Sequence, residues 1–310
     1  MREGGVACIL SISGGKDSTA AALALREADV PYRMVFADTR WEAPETYEHL
    51  DVLRTKLGPI DVVAADPKEE GGVGGMVDRI KARAGFPARM QRWCTRELKL
   101  EPLRRYHDEI EAREGIDTAC VMGVRAQESK AREKMAIWED EPEGDRSWGG
   151  WLWRPILRWS VEDVLAIHHR HGVKVNPLYQ HGHDRVGCYP CIFARKEEIR
   201  LIADRSPGRI DEIRQLESDI ERVRAERNVE TPGRYSHAVG TFFQGRGEDG
   251  RNGMMNIDRV VEWSRTSRGG RQLSLLAPVP TGGCMRWGMC EAPPGAADDI
   301  VDEESPESER

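Results

Sequence analysis

Residues 13–19, Ser13-Gly14-Gly15-Lys16-Asp17-Ser18-Thr19, crowd oxyanion-binding groups into one short stretch. Lys16 supplies a full positive charge, and Ser13, Ser18 and Thr19 supply hydroxyl donors. Gly14 and Gly15 let the backbone approach a phosphate closely. Asp17 is out of place in a plain phosphate cradle, but it makes sense if a divalent cation such as Mg²⁺ accompanies the phosphate. Cysteine supplies the second set of reactive groups. Cys188 and Cys191 form a Cys-x-x-Cys pair, which is a metal knuckle or a redox pair; Cys284 and Cys290 form a wider pair, and Cys94 lies alone in the basic stretch 89–103. These five residues could supply four thiolates, a donor set that zinc and iron–sulfur clusters both accept. Cys94 precedes an expected helix and has arginines around it, which would lower its pKa and make it a metal ligand or nucleophile. The plainer reading is a partly buried structural thiol.

Elements must carry these groups. The apolar run Val6 to Leu10 reads as a buried parallel strand, and the alanine-rich run Ala20 to Ala28 reads as a helix, so the Gly-Gly loop sits at a helix start with its unpaired amides. Further strands are expected at Tyr32 to Ala37, Ile60 to Ala64 and Thr118 to Val124, with helices between them. That alternation predicts an α/β fold, a parallel sheet flanked by helices, with ligands beyond the carboxyl ends of the strands. Asp38 and Arg125 each follow a strand, which makes Asp38 a candidate for metal or nucleotide and Arg125 a candidate phosphate partner. An N-cap role serves Asp38 equally well. Cys120, inside an apolar run, reads as a packed thiol. Gly71 to Gly75 reads as a flexible connection. Trp138, Trp148, Trp151, Trp153 and Trp159 read as loop packing, with base stacking the alternative. A helix is expected from Ser160, capped through Asp163, with His168 and His171 on a solvated face. Residues 196–228 read as one or two charged, exposed helices broken near Ser206-Pro207-Gly208, and Arg265 to Arg271 form a basic loop.

The 310-residue chain carries a net charge of −7. Residues 291–310 hold eight acids and one base, so the rest sums to zero, and overall charge neither supports nor excludes nucleic-acid binding. The expected organisation is a nucleotide domain at 1–180, a mainly helical Cys-rich metal-binding region at 181–290 and a disordered acidic tail at 291–310. No run is long and apolar enough to cross a membrane and the start lacks a signal-peptide layout, so a cytoplasmic protein without membrane contact is expected.

Ser13–Ser18 is not a Walker A loop, which has a longer gap after its first glycine. It resembles the PP-loop of the ATP pyrophosphatases, which split ATP between its α and β phosphates. With Phe36-Ala37-Asp38-Thr39, Pro44-Glu45-Thr46-Tyr47, Gly123-x-Arg125-x-x-Glu128-Ser129, Asn176-Pro177-Leu178-Tyr179 and Gly187-Cys188-x-x-Cys191, residues 5–200 resemble the phosphoadenosine phosphosulfate (PAPS) reductase family of PP-loop proteins. The resemblance implies a Rossmann-type, adenine nucleotide α-hydrolase-like sheet. It implies ATP held by Ser13, Gly14, Gly15, Lys16, Asp17, Ser18, Thr19, Asp38, Gly123, Arg125 and Glu128, with Lys16, Asp17, Asp38 and Arg125 in catalysis. It further implies a [4Fe–4S] cluster on Cys94, Cys188, Cys191 and one of Cys284 or Cys290, with a four-thiolate Zn²⁺ site as the rival.

Two departures separate this chain from the reductases that name the family. Their PP-loop is altered, whereas this one is intact, and Gly288-Met289-Cys290-Glu291 does not match their nucleophilic-cysteine tail. Trp93-Cys94 also stands where the cluster-bearing reductases have two cysteines. The chain is therefore most similar in logic to the DNA phosphorothioation and tRNA thiolation ATP pyrophosphatases. That likeness implies AMP- and pyrophosphate-forming adenylation for sulfur transfer, with DNA or tRNA as acceptor and a cysteine desulfurase as sulfur donor. The alternatives are a thiol-dependent PAPS or adenosine 5′-phosphosulfate reductase, a relative of the sulfate adenylyltransferase small subunit, and a non-catalytic nucleotide-binding subunit of a modification or defence complex. Whether the chain forms a homo-oligomer is left open by the sequence.

Overall fold

A computed structural model describes residues 5–68, 72, 74–89, 91–140, 150–235, 241–246 and 252–266. In chain order the first elements are β1 (Val6–Ser11), α1 (Lys16–Glu27), β2 (Tyr32–Asp38), α2 (Pro44–Leu57), β3 (Ile60–Ala64) and α3 (Met76–Arg83). The short α4 (Trp93–Thr95) runs through a π-helical turn, Arg96–Leu100, into α5 (Glu101–Glu114). Then come β4 (Asp117–Met122), α6 (Lys130–Glu133), β5 (Trp138–Asp140), β6 (Trp151–Trp153) and α7 (Val161–Arg170). The C-terminal part holds α8 (Lys196–Arg205), α9 (Pro207–Glu230), the hairpin of β7 (Gln244–Arg246) and β8 (Asn252–Met254), and α10 (Ile257–Ser264).

The main sheet has the order β3-β2-β1-β4-β6-β5. All its neighbours pair parallel except the edge strand β5, which runs antiparallel to β6. Leu10 of β1 lies beside Met34 of β2 and Val121 of β4, so β1 is central and its carboxyl end opens at the middle of the rim. Side chains alternate across the sheet, as the strand pleat requires. Leu10, Met34, Phe36 and Val121 pack under α1, α2 and α7 with Leu23, Leu50, Leu53, Val164 and Ile167. Ile9, Val35, Ala37 and Cys120 pack on the opposite face under α5 with Leu103 and Ile110. Both faces are covered, which accounts for strands that read as continuous apolar runs.

A third apolar cluster lies to the side of the sheet. It joins Trp41, Met76, Ile80, Trp93, Cys94 and Leu98 to Tyr189, Ile199, Ile213, Ile220, Phe242 and Val260. Trp41 is its most enclosed large side chain, with the Phe242 ring at 5.7 Å and the Arg209 guanidinium at 4.3 Å from its ring centre. The helices α8, α9 and α10 thus share one core with residues that precede α7.

Several local expectations change here. The tryptophan-rich section forms β5 and β6: Trp138 packs edge-on against Trp151 at 5.2 Å and lies 6.2 Å from Trp153, Trp159 packs against the α1–α7 cluster, and Trp148 lies outside the described residues. Gly74 and Gly75 are a pinned turn: Gly74 N–H donates to Asp78 Oδ2 at 2.6 Å and Met76 N–H donates to Thr39 O at 2.9 Å. The helix begun by the Ser160–Asp163 capping box forms as expected, but His168 is 3% exposed and not on a solvated face. α7 packs on α1, and His168 points into that contact. No described helix is long and apolar enough to cross a membrane.

Candidate functional site

The PP-loop leaves β1 at Ser11 and enters α1 at Lys16, after the N-cap residue Gly15, which has no side chain to cap the first turn. Its amides therefore present the partial positive charge of a helix start to the rim. Ser18 Oγ donates to Gly15 O at 3.0 Å and accepts from Ser13 N–H at 3.2 Å, while Thr19 Oγ1 donates to Gly15 O at 3.1 Å. These two hydroxyls hold the loop in shape, and Ser13 stands exposed at its tip.

Asp17 is the electrostatic hub. Lys16 Nζ lies 2.6 Å from its Oδ2 and Arg125 Nε lies 2.5 Å from its Oδ1. Lys16 and Arg125 are 4% and 6% exposed, so two buried cations share one carboxylate and the set carries an excess positive charge. An arriving phosphate would be met by both cations without either having to fold inward. Arg125 is aimed by its own turn, because Glu128 Oε2 accepts Arg125 N–H at 2.9 Å and also pairs with Arg132. Gly123 is needed for contact: a Cβ there would lie 2.4 Å from Ser18 Cα and 2.5 Å from Asp17 O. No side chain fits between the end of β4 and the start of α1.

Three residues outside the loop set its position, and the residue types alone did not reveal them. Tyr179, 2% exposed, accepts the Lys16 N–H at 3.2 Å and lies under the Lys16 ammonium, 5.2 Å from its ring centre. Burial, and next the charge of Asp17, keep its hydroxyl protonated. Asn176 Nδ2 donates to Gly14 O at 3.3 Å. His168 spans the Lys16 and Val173 carbonyls, with 2.8 Å from one ring nitrogen to each. The available signal was the Asn176-Pro177-Leu178-Tyr179 turn, whose two polar residues both reach back to the loop.

Asp38 is placed differently from the expectation. Its Oδ1 accepts Arg40 N–H at 2.7 Å and Tyr47 O–H at 2.8 Å, which ties the β2 end to α2. Its Oδ1 thus holds its own loop. Asp38 is not the N-cap of α2, since Ala43 occupies that position.

Next to the loop lies the thiol group. Val186 packs over Gly15, and two residues later Cys188 pairs its backbone with Glu42. Cys94, Cys188 and Cys191 are drawn close enough for their charges to be felt by one another, and the Lys99 ammonium donates to the Cys188 sulfur. Thr39 Oγ1 lies 3.8 Å from the same sulfur and donates to Glu42 at 2.7 Å. Cys188 first, then Glu42 and Cys191, hold the Lys99 pKa up against its burial. The structure overturns the expected low pKa of Cys94. Burial, then the other two sulfurs, push it up to about 11. The arginines around it are engaged elsewhere: Arg92 lies over Phe193 and Arg96 pairs with Glu97 and Glu101. Among the described residues no three His, Cys, Asp or Glu groups stand at metal-holding distances. Cys284 and Cys290 lie outside the described residues.

The doubly covered parallel sheet, with this loop at the carboxyl end of its central strand, defines a nucleotide-binding PP-loop α/β protein. Comparison with known proteins then places it. The phosphoadenosine phosphosulfate reductase domain matches residues 7–194, and the chain belongs to that family. A 37.8 kDa protein encoded in the gpa 5′ region of Escherichia phage 186 is 36% identical, across 87% of this chain and 91% of its own. The adenosine 5′-phosphosulfate reductase of Allochromatium vinosum is 29% identical, across 59% of this chain and 67% of its own. Among solved structures, the PAPS reductase of Candida auris aligns with a TM-score of 0.42 at 20% identity, over 59% of this chain and 81% of that one.

Proposed function

We propose that the chain is an ATP pyrophosphatase that forms AMP and pyrophosphate in order to adenylate an acceptor for sulfur transfer. The observation that carries this reading is the intact PP-loop, in which Lys16 and Arg125 converge on Asp17 at a helix start whose N-cap is Gly15. In this reading an acceptor oxygen attacks the α phosphorus of ATP, the bond from that phosphorus to the bridging oxygen breaks, and pyrophosphate leaves. Lys16 and the loop amides hold the charge that develops on the leaving group. Asp17, paired here with Lys16 and Arg125, is the residue that would hold a nucleotide-bound Mg²⁺, which would offset phosphate charge. A sulfur nucleophile then displaces AMP from the acceptor. Asp38 acts at a remove in this reading, holding the β2 end.

Cys94, Cys188 and Cys191, with Cys284 or Cys290, are the residues that would hold a [4Fe–4S] cluster, the rival being Zn²⁺. When bound, such a cluster would supply redox chemistry and, if neither Cys284 nor Cys290 takes the fourth position, an iron open to sulfide. The acceptor class proposed is nucleic acid, DNA or tRNA, with a cysteine desulfurase as donor. It rests on the intact loop beside a thiol group. The relatives that are adenosine 5′-phosphosulfate reductases favour a second reading, thiol-dependent reduction of a sulfonucleotide.

Incubation with ATP and Mg²⁺ separates the two. The expected products are AMP and pyrophosphate, and Lys16→Ala lowers their formation by about 10²- to 10³-fold. ADP and phosphate, or no turnover with DNA, tRNA or small-molecule acceptors present, would count against the first reading. Sulfite release from adenosine 5′-phosphosulfate without ATP use would establish the second. Iron and acid-labile sulfide in anaerobically purified protein test the cluster, and zinc in their place sinks it.

A further inference from the structure

Two short segments carry the described thiols of the candidate cluster group, 84–96 around Cys94 and 185–196 around Cys188 and Cys191. Together they hold six cations and no acid. Three of the six are occupied locally. Arg96 pairs with Glu97 and Glu101, Arg195 pairs with Asp184 at 3.7 Å, and Lys196 donates to Thr266 O and Oγ1. Arg89, Arg92 and Arg185 are exposed, and none of them is in an ion pair among the described residues. Glu97, the carboxylate that follows the first segment, is taken by Arg79, Arg83 and Arg96.

The fold orders two of these guanidiniums without neutralising them. The chain turns back tightly between Ala88 and Gln91, which exchange backbone bonds of 3.3 and 3.0 Å, so Arg89 stands in the turn between them. Arg89 Nε donates to Ile192 O at 3.3 Å, which seats this turn on the loop after Cys191. That loop is closed by Ala194 N–H donating to Cys191 O at 2.8 Å, and it leaves Phe193 36% exposed. The Arg92 and Arg89 guanidinium carbons lie 5.1 and 5.8 Å from the Phe193 ring centre. A ring holds a cation through its quadrupole, so the cation keeps its full charge and its N–H edge stays open to an anion. The only hydrogen bond of the Arg92 side chain among the described residues is a long one, 3.5 Å to Thr95 Oγ1. Three residues beyond Phe193 the arrangement recurs: the Lys196 ammonium lies 4.8 Å from the ring centre of Trp263, which is 39% exposed. At the other end, Arg185 precedes Val186, which packs over Gly15. Residues 185–193 therefore run from the PP-loop past Cys188 and Cys191 to Phe193.

We propose that this face is a binding surface for single-stranded nucleic acid, with Arg89, Arg92 and Arg185 on phosphates and Phe193 against an unpaired base. Exposed guanidiniums without carboxylate partners suit a polyanion. Exposed rings that carry cations suit a base with an open face, which a duplex does not offer. Both thiol-bearing segments contribute to the surface, so a strand lying on it passes beside the sulfur groups. The proposal rests on the nucleic-acid acceptor reading above and names the face that holds that acceptor.

The test is fluorescence anisotropy of the full chain with a labelled single-stranded DNA oligomer, an RNA of the same sequence and the corresponding DNA duplex, at low salt and without ATP. The expected result is that a single strand binds more tightly than the duplex, and the preferred sugar names the strand as DNA or RNA. Phe193→Ala weakens single-strand binding about fivefold or more, and Phe193→Trp retains it. Arg89→Gln combined with Arg92→Gln flattens the slope of log affinity against log salt by about 1.4. Arg113→Gln is the control: it is 67% exposed, lies at the amino rim of the sheet with Pro31 and Pro59, and leaves affinity and slope unchanged. If Phe193→Ala unsettles its loop, the arginine pair decides, because both side chains are exposed. Absence of strand binding, duplex binding as tight as single-strand binding, or a salt slope unmoved by the arginine pair overturns the proposal. So does an equal effect of Arg113→Gln. The two readings fail separately: no strand binding while AMP and pyrophosphate form on a small-molecule acceptor removes this surface alone, and strand binding as expected without AMP formation removes ATP cleavage alone.

Discussion

At the scale of single residues, the candidate site depends on charge sharing and on one missing side chain. Asp17 keeps Lys16 and Arg125 together before any nucleotide arrives, which offsets the repulsion of two buried cations. Gly123 lets β4 and α1 approach closely enough for Arg125 to reach Asp17. Gly123→Ala forces backbone apart, because its nearest neighbours are Ser18 Cα, Asp17 O and Ser18 N and not a movable side-chain end. The expected cost is about 1–3 kcal/mol of stability, with a loss of nucleotide affinity that exceeds the loss in Gly208→Ala. Gly208 has open space around it and no left-handed backbone, and serves as the control. Chemical denaturation and nucleotide titration of both variants check this; equal affinities in the two would show that close approach at Gly123 does not serve the site.

At the scale of elements, the turn 176–179 and the helices of the third cluster do the positioning. Asn176 and Tyr179 brace the loop from a segment more than a hundred and fifty residues away in sequence. α10 is anchored by Glu217 of α9, whose carboxylate accepts Ile257 N–H at 2.8 Å. Burial pushes the Glu217 carboxyl up to about 7 from an ordinary 4.5. The folded state therefore holds a proton that the unfolded chain has released between those values. The associated stability is fully present below pH 4.5 and is lost as pH rises through about 7. Glu198 is raised to about 7 by burial and acts in the same direction. His49 and His183, lowered to about 4 by burial, oppose it on the acid side, since the unfolded chain takes up their protons first. Glu217→Gln keeps an acceptor for Ile257 N–H and removes one titration. Urea midpoints of the native chain minus those of Glu217→Gln should fall from pH 5 to pH 8, with the histidine and Glu198 contributions cancelling in the difference. A flat difference would show that Glu217 does not titrate in this window.

At the scale of the whole molecule, the third apolar cluster makes the C-terminal helices part of the same core as α3, α4 and Trp41. Removing everything after residue 194, the end of the family match, would uncover Ile80, Leu98 and Trp41, all buried, and strip the cover from the thiol group. The 1–194 piece is expected to bind a hydrophobic dye and to unfold without a sharp transition, whereas the full chain unfolds as one cooperative unit. A 1–194 piece with a sharp transition and native-like nucleotide binding would show that the shared core is dispensable.

The local patterns were readable because they depend on neighbours in sequence. The strands β1 to β4, the Gly-Gly loop at the start of α1, the capping box at Ser160 and the break before Pro207 all follow from apolar periodicity and chain stereochemistry. The loop residues and Arg125 were legible for the same reason, since each sits at a strand end. Partners across the fold were not. His168 looked like one of three exposed histidines, and only the docking of α7 on α1 buries it against the Lys16 carbonyl. Cys94 looked acidified by nearby arginines, and only packing showed that those arginines turn to Phe193 and Glu97 while burial raises the thiol. Asp38 stands at a strand end as expected, yet the hydroxyl of Tyr47 and a local amide take its Oδ1. The sequence by itself determined that a Gly-Gly loop rich in oxyanion-binding groups leaves a buried parallel strand for a helix start. The tertiary structure decided which charges face it and which thiols stand beside it, because burial and long-range contact set those and neither is written in adjacent residues.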